Sequence, residues 1–202
     1  MSIASDLQTI AANVPLVFLA GKDAQYDAFW DDYQQSGSRT NYQFAFAGRG
    51  WTDDVFDPKY AITVSDNSLA QQMFYDAREL TEIGAALTIL GSSNNVFANC
   101  RALKTIADLT VGESTVFTTW FTNCYDLENV TIHGTVANDL DIHYSTNLTL
   151  ASAKSILTAL KSGVSGKTLT LPTALQSAVS ADGTASGLVT AAQSGGWTVA
   201  YA

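Results

Sequence analysis

Three features of the sequence predict an α/β fold in which short turns of chain stack into a solenoid. The first is a ten-residue line that recurs without gaps, as Phe74-Tyr75-Asp76-Ala77-Arg78-Glu79-Leu80-Thr81-Glu82-Ile83, Phe97-Ala98-Asn99-Cys100-Arg101-Ala102-Leu103-Lys104-Thr105-Ile106 and Phe121-Thr122-Asn123-Cys124-Tyr125-Asp126-Leu127-Glu128-Asn129-Val130. The second is its spacing. The copies start 23 and 24 residues apart, and each carries Leu six and Ile or Val nine residues after its Phe, which is the period of a leucine-rich repeat. The third is the setting, with helical periodicity before the array and alternating helix and strand signals after it. The organisation read from these features is an N-terminal helical stalk over 1–35, a connector and N-terminal cap over 36–72, leucine-rich repeats over 73–151, and a helix-and-strand C-terminal cap over 152–202.

In the stalk, Ile3, Leu7, Ile10, Val14 and Val17 alternate steps of four and three, the apolar seam of a helix that pairs with copies of itself or with a partner. Pro15 lacks an amide hydrogen, so the helix kinks or restarts there. An amphipathic helix folded back on its own domain has the same pattern, and both readings stay open. After Gly21, Tyr26, Phe29, Trp30 and Tyr33 share one helical face, placed to cover the first open turn of the solenoid. Ser36 to Pro58 is rich in Gly, Asn and aromatic residues without a long period, an ordered connector with room for a short strand or two.

The repeat itself follows from area. One turn of about 23 residues cannot cover its own apolar face, so Leu80, Leu103 and Leu127 are expected to stack into one column. Asn99 and Asn123 recur just before the cysteines, where an amide side chain can satisfy backbone groups at a tight bend. Ile142 and Leu148 keep the six-residue step and mark a degenerate fourth turn. Beyond it, Ser152 to Lys161 carries Ile156, Leu157 and Leu160 at helical spacing, and Thr168 to Leu171 alternates as a strand. Thr173 to Val179 and Ala185 to Gln193 return to helix, and Trp197 to Tyr201 ends as a strand.

Composition narrows the function classes. Of the 202 residues 47% are hydrophobic and 14% charged, enough apolar material for a packed body. Nineteen acidic against ten basic side chains give a net charge of −9, so a phosphate backbone is repelled and nucleic acid is not an expected partner. No apolar run reaches the roughly 20 residues that span a bilayer, and no membrane insertion is expected. Cys100 and Cys124 are the only cysteines and His133 and His143 the only histidines, at spacings that form no metal motif. The two thiols are read as buried and unpaired, with a stacked pair one turn apart as the alternative.

Gly166-Lys167-Thr168 looks like the end of a phosphate-binding loop, but Lys161 stands where that motif needs Gly, and a helix rather than a strand precedes it. No Ser or Cys nucleophile lies in a recognisable signature with either histidine. The carboxylate pairs Asp53-Asp54 and Asp139 with Asp141 are read as solvated faces. Asn147-Leu148-Thr149 is a glycosylation triplet with nothing else to support that setting. No catalytic residue, cofactor or metal is therefore assigned.

The three copies of Phe-x-x-Cys-x-x-Leu-x-x-Ile, with Ala77 in place of the first cysteine, resemble the BspA-like, or treponemal, class of leucine-rich repeat. The stretch from Asp23 to Gln35, with Gly37, Arg39-Thr40-Asn41-Tyr42, Ala45-Phe46, Gly50-Trp51 and Phe56-x-Pro58-x-Tyr60, looks like a module that precedes such repeats in tailed-phage structural proteins. The closing segments around Ser155-Ile156-Leu157, Lys167 to Leu171 and Gly196 to Val199 are similar to the way those proteins end. This resemblance implies a virion structural protein of the tail, fibre or capsid surface that is not an enzyme. It would be homo-oligomeric through its N-terminus, with a trimer preferred, and would touch other virion proteins and a host-surface protein or glycan. The alternatives are a bacterial cell-surface adhesin of the same repeat class and, from the enzymes, a glycan hydrolase using paired carboxylates. With Leu and Ile inward, Glu82, Thr105 and Asn129 form one outward row. Gly84, Ala107 and Thr131 form another, with His133 near its end. The ligand-binding candidates are Glu82, Thr105, Asn129, Thr131 and His133.

Overall fold

The structure, a computed structural model, describes residues 42–43, 46–48, 55–56 and 61–202. The seam Ile3, Leu7, Ile10, Val14 and Val17 and the aromatic face of Tyr26, Phe29, Trp30 and Tyr33 lie outside the described residues.

Five parallel strands build the main sheet: β1 (Val55–Phe56), β2 (Ile62–Val64), β3 (Glu82–Ile89), β4 (Thr105–Val111) and β5 (Asn129–Gly134). β1 pairs with the start of β3 and β2 with its end, so the two short strands share one position beside β3. The segment read as connector thus supplies two strands, and the chain forms a parallel-strand solenoid of about four turns. Each long strand turns its apolar side chains inward: Ile83, Leu87 and Ile89, then Ile106, Leu109 and Val111, then Val130 and Ile132, all buried. Three residues separate the first two inward positions in β3, two in β4 and one in β5, because each pairing carries a one-residue bulge. A bulge leaves its extra residue unpaired and bends the strand. Gly134 ends β5 with φ +84°, and a Cβ there would meet the Val111 carbonyl oxygen at 2.1 Å.

The turns leading into the strands repeat equally closely. Leu80, Leu103 and Leu127 are fully buried, each immediately before backbone that bonds to the next turn, from the Lys104 amide to the Thr81 carbonyl and from the Glu128 amide to the Lys104 carbonyl. Phe46, Phe74, Phe97 and Phe121 form a second column, with ring centroids 5.1, 5.7 and 5.6 Å apart and planes within 24° of parallel. Two positions per turn are left-handed: Gln72, Asn95 and Thr119, then Asp76, Asn99 and Asn123, all with φ between +54° and +67°. Asn and Asp accept that conformation at lower cost than bulkier residues. The Asn123 side-chain amide donates to Asn99 Oδ1 at 2.8 Å, so the asparagines ladder along the bends.

Ile142, Ser145 and Leu148 repeat the backbone hydrogen bonds of Phe121, Cys124 and Leu127, which makes the degenerate fourth turn a structural one. Where a further strand would start, the chain becomes a helix instead. α1 (Leu150–Ala159) is capped by Thr149, whose hydroxyl accepts from the Ser152 amide, and it packs along β5. Beside it lies a three-stranded parallel sheet in the order β6 (Leu140–Asp141), β7 (Lys167–Leu171) and β8 (Trp197–Tyr201). A 3-10 turn (Thr173–Leu175), α2 (Gln176–Ala181) and α3 (Gly183–Ser194) connect the last two strands. Asp182 caps α3 and bonds Lys154 of α1 at 2.8 Å; this partner and the Ala185 amide hold its carboxyl below the usual range.

Candidate functional site

The outward face of the main sheet is set by strand register, since side chains alternate between faces and pairs in register stand side by side. Val55, Glu82, Thr105 and Asn129 are consecutive partners. They form one continuous row, which the Thr149 hydroxyl extends by donating to Asn129 Oδ1 at 3.4 Å. The second expected row does not form. Ala86 pairs with Asp108, and the bulges put Ala107 and Asp108 together opposite the single residue Thr131, so Gly84, Ala107 and Thr131 fall out of register.

A different row replaces it. Thr63, Thr88, Thr110 and His133 are partners across four strand positions. His133 Nε2 stands 3.7 Å from Asp108 Oδ1, with both side chains about half exposed. Of the five candidates, Asn129, Thr131 and His133 are exposed, and Glu82 and Thr105 are half-buried between their neighbours. The threonine row has a sequence signal in Ile62-Thr63-Val64, Leu87-Thr88-Ile89 and Leu109-Thr110-Val111, a recurring apolar-Thr-apolar triplet. The face offers small hydroxyl, amide and carboxylate groups on a rigid backbone, which suits contacts repeated from rung to rung.

Inside the turns, Cys100 and Cys124 are free, buried thiols. Each donates to a carbonyl of the preceding turn, Cys100 to Phe74 at 2.9 Å and Cys124 to Phe97 at 3.1 Å. Burial pushes Cys124 up to about 12, and burial and then the neighbouring Cys124 push Cys100 well above its ordinary value. A thiol reagent at pH 8 is therefore expected to leave both sulfurs unmodified until the chain unfolds. The linkage runs against alkaline pH. In the unfolded chain the thiols ionise from about pH 9, while the folded chain keeps its protons, so stability is complete below that pH and falls as pH rises towards 12. Urea midpoints at pH 7 and pH 10 check this. A drop that persists undiminished in the Cys100→Ala/Cys124→Ala variant would assign it to other groups.

Among the described residues no group of three or more His, Cys, Asp or Glu is placed to hold a metal ion, and no helix is long and apolar enough to cross a membrane. Compared with protein-family models, curated proteins and solved structures, the chain matches none.

Proposed function

We propose that the chain is a display and recognition module, a leucine-rich repeat of the BspA-like class carried as a structural component of a tailed-phage particle, and not an enzyme. The observation that carries this reading is the in-register row Glu82, Thr105 and Asn129, flanked by Thr63, Thr88, Thr110 and His133. A rigid parallel sheet holds these groups in fixed relation, so little side-chain entropy is lost when a protein or glycan meets them. The helical stalk, through Ile3, Leu7, Ile10, Val14 and Val17, would assemble the copies and multiply weak contacts through avidity.

Two measurements test it. Antibody detection of the chain on purified particles, as against a bacterial cell-wall fraction, separates the virion reading from that of a cellular adhesin. Replacement of the row by Glu82→Lys, Thr105→Lys and Asn129→Lys together is expected to lower attachment of particles to host cells by about tenfold or more. Attachment at the original level would remove the sheet face from the assignment.

A further inference from the structure

The bends that lead into the strands carry a second column of side chains, and it ends in an arrangement that packing does not require. Asp76, Asn99 and Asn123 hold the same left-handed position in successive turns. The fourth turn puts Tyr144 at the equivalent place in the sequence, two residues after Ile142 as Asn123 is two after Phe121, but without the left-handed backbone. Tyr125 folds back as Arg78 does two turns earlier: its hydroxyl donates to Asn123 Oδ1 at 2.6 Å, and Arg78 Nε donates to Asp76 Oδ1 at 2.6 Å. The Tyr144 ring meets Tyr125 edge-on at 6.2 Å and lies 4.0 Å from the ring of His143. Asp141 Oδ1 bonds His143 Nδ1 at 2.6 Å and also accepts from the His143 amide at 3.1 Å.

Tyr125 is 42% exposed, one of two large apolar side chains so exposed among the described residues. Its ring meets the Tyr144 ring, and its hydroxyl bonds Asn123. Among the described residues, His143 Nε2 and the Tyr144 hydroxyl have no hydrogen-bond partner. The cluster therefore combines an exposed aromatic surface with an amide, an imidazole nitrogen, a phenol and a carboxylate, all beside one another. Such a surface does not suit the apolar face of a peptide, because Tyr125 is the one exposed large apolar side chain of the cluster. Nor does it suit a phosphate, which Asp141 and the exposed Asp126 repel. It matches a sugar ring, whose C–H face packs on an aromatic plane while planar polar groups take its neighbouring hydroxyls.

We propose that Tyr125, Tyr144, His143 and Asp141, with Asn123, form a saccharide-binding site at the end of the solenoid's bends, separate from the sheet face and independent of its assignment. The test is saturation-transfer NMR on the full chain with methyl α-glucopyranoside, methyl β-galactopyranoside and N-acetylglucosamine in turn. The expected result is saturable transfer from the protein to at least one sugar in the millimolar range, strongest to the protons of one ring face. Tyr125→Ser should weaken it by about tenfold, Tyr125→Phe should keep it within about threefold, and Ser177→Lys, on the exposed side of α2, should leave it unchanged. Tyr125 is exposed, so neither variant at that position opens the core. Absence of saturable transfer with all three sugars overturns the site, as does Tyr125→Ser binding like the unaltered chain. Equal losses in the Ser and Phe variants would overturn the ring-stacking assignment.

Discussion

Replacing Phe97 with alanine is expected to destabilise the fold by about 3–5 kcal/mol, the range for deleting a fully buried aromatic side chain. Phe97 is at the middle of the column, stacked on Phe74 at 5.7 Å and Phe121 at 5.6 Å and met edge-on by Trp120 at 5.8 Å. Its loss removes partners from the turn before and the turn after. In a solenoid each turn is supported only by its neighbours, so both interfaces weaken together. For a domain of this size the melting temperature is expected to fall by roughly 6–20 °C. Thr105→Ala, on the outward face, should stay within about 0.5 kcal/mol. Urea denaturation of the two variants checks the difference. A Phe97→Ala cost no larger than that of Thr105→Ala would mean that the rings are not what joins the turns.

The phenylalanine, leucine and isoleucine columns were legible in the sequence because each fills one interior position, and an interior position demands an apolar residue at every recurrence. The turn before them was not. Phe46 stacks on Phe74, but it stands 28 residues away and its strand is split into β1 and β2, so the period breaks even though the packing continues. Strand register was half legible. Glu82, Thr105 and Asn129 each precede an inward residue and stay aligned, whereas every position beyond the bulges shifts, because Ile83 to Leu87, Ile106 to Leu109 and Val130 to Ile132 differ in length. The threonine row lies past that shift, and reading it requires aligning the strands from their C-terminal ends. Tyr144 escaped for another reason: it continues a column of polar bend residues with an aromatic one, and no apolar period reports such a position. The helix α1 was visible in Ile156, Leu157 and Leu160, but its serines carry no periodic signal, and they are what decides where it sits.

Those serines give the second large effect. The last strand of a parallel sheet leaves a row of unpaired amides and carbonyls, which must be covered or they recruit another chain. At β5, Ser152 Oγ accepts from the Val130 amide at 2.9 Å and donates to the Glu128 carbonyl at 3.0 Å, and Ser155 Oγ accepts from the Ile132 amide at 2.9 Å. Two hydroxyls one helical turn apart thus stand in for the carbonyls of a missing strand. The double variant Ser152→Ala/Ser155→Ala would orphan both amides at about 1–3 kcal/mol each. Alanine's better helix propensity returns less than about 1 kcal/mol in total. The expected net cost is about 1–5 kcal/mol, together with concentration-dependent association through the exposed edge, measured by urea denaturation and by light scattering across a dilution series. Ser152→Thr/Ser155→Thr keeps the hydroxyls and should recover most of the loss. If the alanine variant instead proves as stable as the unaltered chain and stays dispersed, helix α1 closes the sheet by apolar packing alone, and the hydroxyl substitution for a strand is wrong.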